Sequence, residues 1–231
     1  MLQVSRRRDL VPIVAVAVIV ALVTYRIAAA RVDARFPHWA LEEFAEDLNP
    51  LIAHYGAEKN SQLYEELMIR DFFQDKRDGV FLDVGAFHYK SFSNTFYLET
   101  ALGWSGIAVE PQTEYAADYA RHRPRTQFAA MFASDTAGGK IPLFVPPTLK
   151  GTASANSAFT AKYEADARSI VVPTTTLNAL LEQAGITKID FMNMDIELHE
   201  PKALAGFDIR RYRPSLVCIE SHAPVRQAIL D

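Results

Sequence analysis

Apolar positions along the chain follow three different rules. From Leu10 to Ala30 the run LVPIVAVAVIVALVTYRIAAA carries one charge, Arg26. As a helix it measures about 30 Å, the thickness of a bilayer's hydrocarbon core. It predicts a single-pass membrane anchor over 10–30, behind a basic tail, residues 1–9, that holds Arg6, Arg7 and Arg8. A signal peptide has the same order of basic, apolar and small residues, but Arg26 interrupts the apolar run before Ala28-Ala29-Ala30. Residues 31–60 read as an amphipathic connector, with Trp39, Leu41, Phe44 and Leu48 loosely at helical spacing. It lacks a basic face for a membrane surface, so docking on the following domain is expected.

From 61 to 231 short apolar runs alternate with helical periodicity. Ser61 to Gln74 predicts a helix with a serine start, and VFLDVG a buried strand ending at a glycine. A helix over Asn94 to Leu102 is closed by Gly103, then SGIAVEP forms the second strand and Thr113 to Arg121 a helix. TQFAAMFAS reads as the third strand, and IPLFV and SIVVPTT as extra β segments. A helix over Thr176 to Gln183, the strand KIDFMNMDI, a helix around Pro201 to Leu204 and the strand SLVCIESH complete the series. Such alternation predicts an α/β domain, a doubly wound, mostly parallel sheet. In these sheets ligands sit beyond the carboxyl ends of the strands. The predicted strands end in Asp83 to His88, Glu110, Ser134-Asp135, Asp195 with Glu197, and Glu220 with His222.

Composition narrows the function classes. Of 231 residues 49% are apolar and 23% charged, which suits a packed core, and the formal charge of −4 excludes a basic nucleic-acid surface. The single cysteine, Cys218, excludes an intrachain disulfide and a thiolate metal cluster, and its apolar setting makes it a small buried hydrophobe.

FLDVGAFHYKSFSNT (Phe81 to Thr95) resembles the first motif of the FkbM family of S-adenosylmethionine-dependent methyltransferases. KIDFMNMDIELHEPKALAGFD (Lys188 to Asp208) is similar to that family's signature of a strand ending in Asp-x-Glu-Gly-His-Glu, and the runs before both motifs match too. The resemblance implies a Rossmann-like methyltransferase fold and S-adenosylmethionine as cosubstrate. Gly85, with Ala86 after it, lets backbone approach the cosubstrate's amino-acid end without a Cβ in the way. Asp83 accepts hydrogen bonds near its ammonium, and the hydroxyls and N–H groups of Ser93, Asn94 and Thr95 bind its carboxylate at a helix start. Glu110, 27 residues after Asp83, accepts the ribose hydroxyls. Ser134 and Asp135 lie at the adenine edge. The absence of G-x-G-x-x-G argues against a dinucleotide site.

Methyl transfer to a hydroxyl needs an aligned acceptor and a base. The candidates are Asp195 or His199 as base, with Glu197 and His222 as orienting partners. A divalent cation such as Mg²⁺ on Asp195, Glu197 and His222 is the alternative. The spacing alone shows no complete ligand set, so no metal ligand is assigned. Leu198 stands where the family often has glycine, which adds bulk beside the reaction centre.

The expected acceptor is a small-molecule or lipid-linked hydroxyl near the membrane. The flanking arginines do not decide orientation; the cytoplasmic origin of S-adenosylmethionine predicts a cytoplasmic catalytic domain. A second reading is a catalytically inactive scaffold subunit of a membrane protein complex. It draws on the anchor, on Leu198, and on the family's further strand pair after the fifth strand, which leaves SLVCIE as an expected open edge.

Overall fold

A computed structural model describes residues 48–231. The predicted anchor over 10–30, the basic tail and most of the connector lie outside the described residues. Among those described, no helix is long and apolar enough to cross a membrane. The described end of the connector is helical over 48–55, and Leu48 is buried. Nη1 of Arg70 donates to the Tyr55 carbonyl at 3.3 Å, and the guanidinium lies 4.7 Å from the Tyr55 ring. This part of the connector therefore packs on the domain.

The first half of the domain runs α1 (Glu65–Phe73), β1 (Val80–Val84), α2 (Phe96–Leu102), β2 (Ser105–Val109), α3 (Ala116–His122), β3 (Thr126–Ala129) and β4 (Phe132–Ala133). The second runs β5 (Lys140–Val145), α4 (Ser157–Thr160), β6 (Arg168–Thr175), α5 (Leu177–Gln183), β7 (Phe191–Met194), α6 (Glu200–Ala205), α7 (Ile209–Tyr212), β8 (Leu216–Ile219) and α8 (Arg226–Leu230).

The main sheet is ordered β3-β2-β1-β7-β8 with every pair parallel. This is the predicted doubly wound pattern, and its strand order reverses between β1 and β7. Side chains alternate across it, as strand geometry demands. Leu82, Val84, Met192, Met194, Val217 and Ile219 enter one core. Phe81, Phe191 and Cys218 enter the other, with Ile69 of α1, Leu98 of α2 and Trp104. Full burial of a large apolar side chain contributes about 1.5–3 kcal/mol. Gly103 closes α2 in the left-handed region, φ 75°, as expected of a C-cap.

Two expected elements differ. The helix assigned from Ser61 starts at Glu65, because the Ser61 hydroxyl accepts from the Glu66 amide at 3.3 Å across a turn rather than capping a first turn. The run TQFAAMFAS is two strands. β3 joins the main sheet, while β4 turns away to pair with β6 in a second sheet ordered β4-β6-β5. IPLFV and SIVVPTT, expected as extra β segments, are β5 and β6, which pair as an antiparallel ribbon. β8 forms an edge of the main sheet, and no described strand pairs with its outer side.

Candidate active site

The reversal in strand order opens the sheet at the carboxyl ends of β1 and β7, where Gly85 and Asp195 meet. The Asp195 amide donates to the Val84 carbonyl at 2.9 Å. Gly85 has φ 82°, and a Cβ on it would fall 1.8 Å from the Asp195 carbonyl oxygen. Glycine is thus required first by the neighbouring strand, before any ligand is considered. On either side of this contact lies a hollow, and both hollows are lined by Gly85 and Asp195.

The first hollow is floored by a chain of side chains in register. Asp83 of β1 faces Asn193 of β7. Its carboxylate accepts from Asn193 Nδ2 at 2.9 Å and from Thr95 Oγ1 at 2.7 Å. Asn193 Oδ1 in turn accepts from Asn94 Nδ2 at 2.9 Å. The chain ends at Asn94 Oδ1, a solvent-shielded acceptor with no partner. Burial raises the pKa of Asp83, with Thr95 and Asn193 pulling it down. An ammonium group suits this hollow, since it would satisfy Asn94 Oδ1 beside a buried carboxyl.

Ser93 and Thr95 both have partners within the protein. Ser93 Oγ accepts from the amides of Thr95 at 3.3 Å and Phe96 at 3.1 Å, and the Ser93 amide donates to the Lys90 carbonyl. Thr95 Oγ1 is committed to Asp83. These bonds hold the loop, and Ser93 also lines the first hollow. Asn94 keeps a ligand-facing atom, as an acceptor rather than an anion binder. Arg123, wholly buried, secures the same loop by donating to the carbonyls of Tyr89 at 2.9 Å and Thr95 at 3.2 Å. It also pairs with Glu99 at 2.5 Å.

The second hollow lies beyond β2. Glu110 lines it, with Oε2 accepting from the Phe87 amide at 3.1 Å and Oε1 from the Gln112 amide at 2.8 Å. Each oxygen keeps a lone pair for a hydroxyl. Burial raises Glu110 to about 7 against the pull of these amides. Gln112 is buried as well, and its Oε1 has no partner. Phe87, Phe132 and Leu143 supply apolar walls. Ser134 and Asp135, expected at an adenine edge, line neither hollow. The chain has left the main sheet at β4, and Ser134 Oγ lies 3.1 Å from Asp135 Oδ1 and 3.2 Å from His199 Nε2.

His199, in that contact, lines neither hollow. Its ring lies against Phe132 and Ser134, and burial lowers it to about 4, which favours the neutral imidazole. Asp195, Glu197 and His222 do converge. Nε2 of His222 lies 3.0 Å from Glu197 Oε2 and 2.9 Å from Glu220 Oε2. Burial alone would lower His222, but its bonds to Glu197 and Glu220 raise it to about 10. Burial raises Asp195 well above the ordinary carboxylate range, reinforced by Glu220 and Glu197. Burial also raises Glu197 to about 8 and Glu200 to about 7. Two of these carboxyl groups, Glu197 and Glu220, thus meet at one imidazole.

Glu197 and Leu198 both stand in the left-handed region, φ 55° and 77°. Such strain costs about 1–2 kcal/mol per non-glycine residue and gathers at functional turns. It gives a physical reason for the glycine that the FkbM motif often carries where this chain has Leu198. Asn193, Gln112, Arg123 and Glu220 were not assigned to the site in sequence. Asn193 left a signal, a lone amide inside the apolar strand FMNM. Gln112 and Arg123 left none, since their partners are 24 to 38 residues away.

No curated protein and no solved structure matches the chain. The family model described as the methyltransferase FkbM domain matches residues 83–228, which includes the second hollow, most of the lining of the first, the carboxylate cluster and the whole main sheet but the first residues of β1. With most of its length so matched, this chain belongs to the FkbM methyltransferase family.

Proposed function

We propose that this methyltransferase transfers the methyl group of S-adenosylmethionine to a hydroxyl oxygen. The observation that carries the reading is the pair of hollows meeting at Gly85 and Asp195, each containing an unpartnered buried amide oxygen, Asn94 Oδ1 in one and Gln112 Oε1 in the other. A cosubstrate with a zwitterionic amino-acid end and a nucleoside end fits that arrangement. When bound, it supplies an electrophilic methyl group on a sulfonium centre. Asn94 Oδ1 and Asp83 serve the ammonium group. Glu110 accepts the ribose hydroxyls with its remaining lone pairs, and Gln112 Oε1 accepts from a further donor of the nucleoside. Asp195, at the junction, takes the proton of the acceptor hydroxyl; burial and its acidic neighbours raise its proton affinity toward that task. Glu197 and His222 hold the turn that presents it. A lipid-linked or other membrane-near acceptor and a cytoplasmic catalytic face remain part of the proposal, resting on the apolar run 10–30 alone.

Calorimetry on the full chain tests the cosubstrate. S-adenosylmethionine should bind, and Glu110→Ala should weaken it by at least about tenfold, or 1.4 kcal/mol. Asp195→Asn should keep the binding and lower transfer to a hydroxyl acceptor by about a hundredfold or more. Absence of binding to the wild-type chain would overturn the reading.

A further inference from the structure

The carboxylate cluster at the ends of β7 and β8 holds more acid than the proposed proton transfer uses. Glu197, Glu220 and His222 each offer one ligand atom, and the three atoms lie within 4.8 Å of one another. The imidazole nitrogen is 3.0 Å and 2.9 Å from the two carboxylate oxygens. Bonds of about 2.1 Å to one cation place adjacent ligand atoms about 3.0 Å apart when they meet at right angles, the octahedral arrangement. Two of the three separations therefore match adjacent positions on one cation, and the third lies within 4.8 Å. Glu197 and Glu220 are buried, so these are not a solvated acidic surface.

A second observation points to a ligand. Glu200 is fully buried; Oε1 accepts from the Ile196 amide at 3.0 Å, while Oε2 has no hydrogen-bond partner. Among the charges that act on it are Glu220 and His222. A buried carboxylate oxygen left bare beside two more carboxylates is costly unless positive charge is nearby. Among the charges that act on Glu200, His222 is the positive one.

We propose that Glu197, Glu220 and His222 form a binding site for one divalent transition-metal cation of the Mn²⁺ class, with Glu200 as a neighbouring carboxylate. An imidazole among the ligands favours such a cation over Mg²⁺, which prefers oxygen ligands alone. The site differs from the one the sequence spacing suggested. Glu220 replaces Asp195 as ligand, and Asp195 is hydrogen-bonded to Glu220 in the hollow that both residues line. A cation there would lie at the rim of the reaction hollow, where an open position can take an oxygen of the acceptor. This last role rests on the proposed function; the binding site does not.

Mn²⁺ titrated into the purified full chain, with no cosubstrate present, tests the site by calorimetry and by pulsed electron paramagnetic resonance. Expected are one saturable Mn²⁺ per chain and a ¹⁴N coupling from one imidazole. His222→Ala should abolish the coupling and weaken binding at least tenfold, and Glu220→Gln should weaken it at least tenfold while keeping the coupling. The wild-type resonance signal keeps the proposal testable if a variant does not fold. No saturable binding up to millimolar Mn²⁺, or bound Mn²⁺ without ¹⁴N coupling, overturns the site. A chain that binds S-adenosylmethionine but not Mn²⁺ overturns the cation and leaves the methyltransferase reading intact.

Discussion

The carbonyl oxygen of Asp195 occupies the place where a side chain on Gly85 would begin, 1.8 Å from the ideal Cβ position. The first strand of the sheet and the reaction centre on β7 are thereby locked together by a missing atom. Two hollows open on either side of that contact, so the packing of two strands also sets where they meet.

Gly85→Ala should destabilise the domain by at least about 2 kcal/mol. The added methyl group meets backbone that cannot rotate away, and alanine is disfavoured at φ 82°. Urea unfolding of wild type and variant measures this. A loss below about 0.5 kcal/mol would mean that β1 and β7 separate easily at this point.

Arg123→Met should cost about 3–5 kcal/mol, because it strands Glu99 as an uncompensated buried charge. Glu99→Gln in the same background should return part of the loss by removing that charge. The same unfolding measurement decides. If the double variant is no more stable than Arg123→Met, the loop bonds from Arg123 to Tyr89 and Thr95 matter more than the ion pair.

Glu110 should give the stability curve a recognisable slope. Its folded value of about 7 exceeds the ordinary 4.5, because burial favours the protonated form. A raised value contributes stability that is complete below about pH 4.5 and lost as pH rises through about 7. Glu110→Gln cannot lose a proton. Relative to wild type it should therefore gain on the order of 3 kcal/mol between pH 5 and pH 8, whatever constant offset its altered amide contacts add. Urea midpoints at the two pH values check this, and a difference that does not change with pH would remove the assignment.

Periodicity in the chain was sufficient to predict every strand of the main sheet, its parallel winding and the glycine that ends α2, because burial on both faces leaves near-continuous apolar runs. The strand-end acids Asp83, Glu110, Asp195 and Glu197 were legible for a related reason: a carboxylate after an apolar run marks where a strand leaves the core. Sequence alone placed Ser93, Thr95, Ser134 and His199 at the site, and the tertiary structure puts only Ser93 of these in the lining of a hollow. Their partners, Asp83 for Thr95 and Ser134 for His199, are 12 and 65 residues away. A polar side chain facing the site and one facing a neighbouring loop look alike along the chain. The same holds for the break in TQFAAMFAS, since two residues between β3 and β4 send the chain into another sheet without any change in hydropathy. Which carboxylates share His222 was decided only when β7 and β8 paired side by side and brought Glu197 and Glu220 to one imidazole.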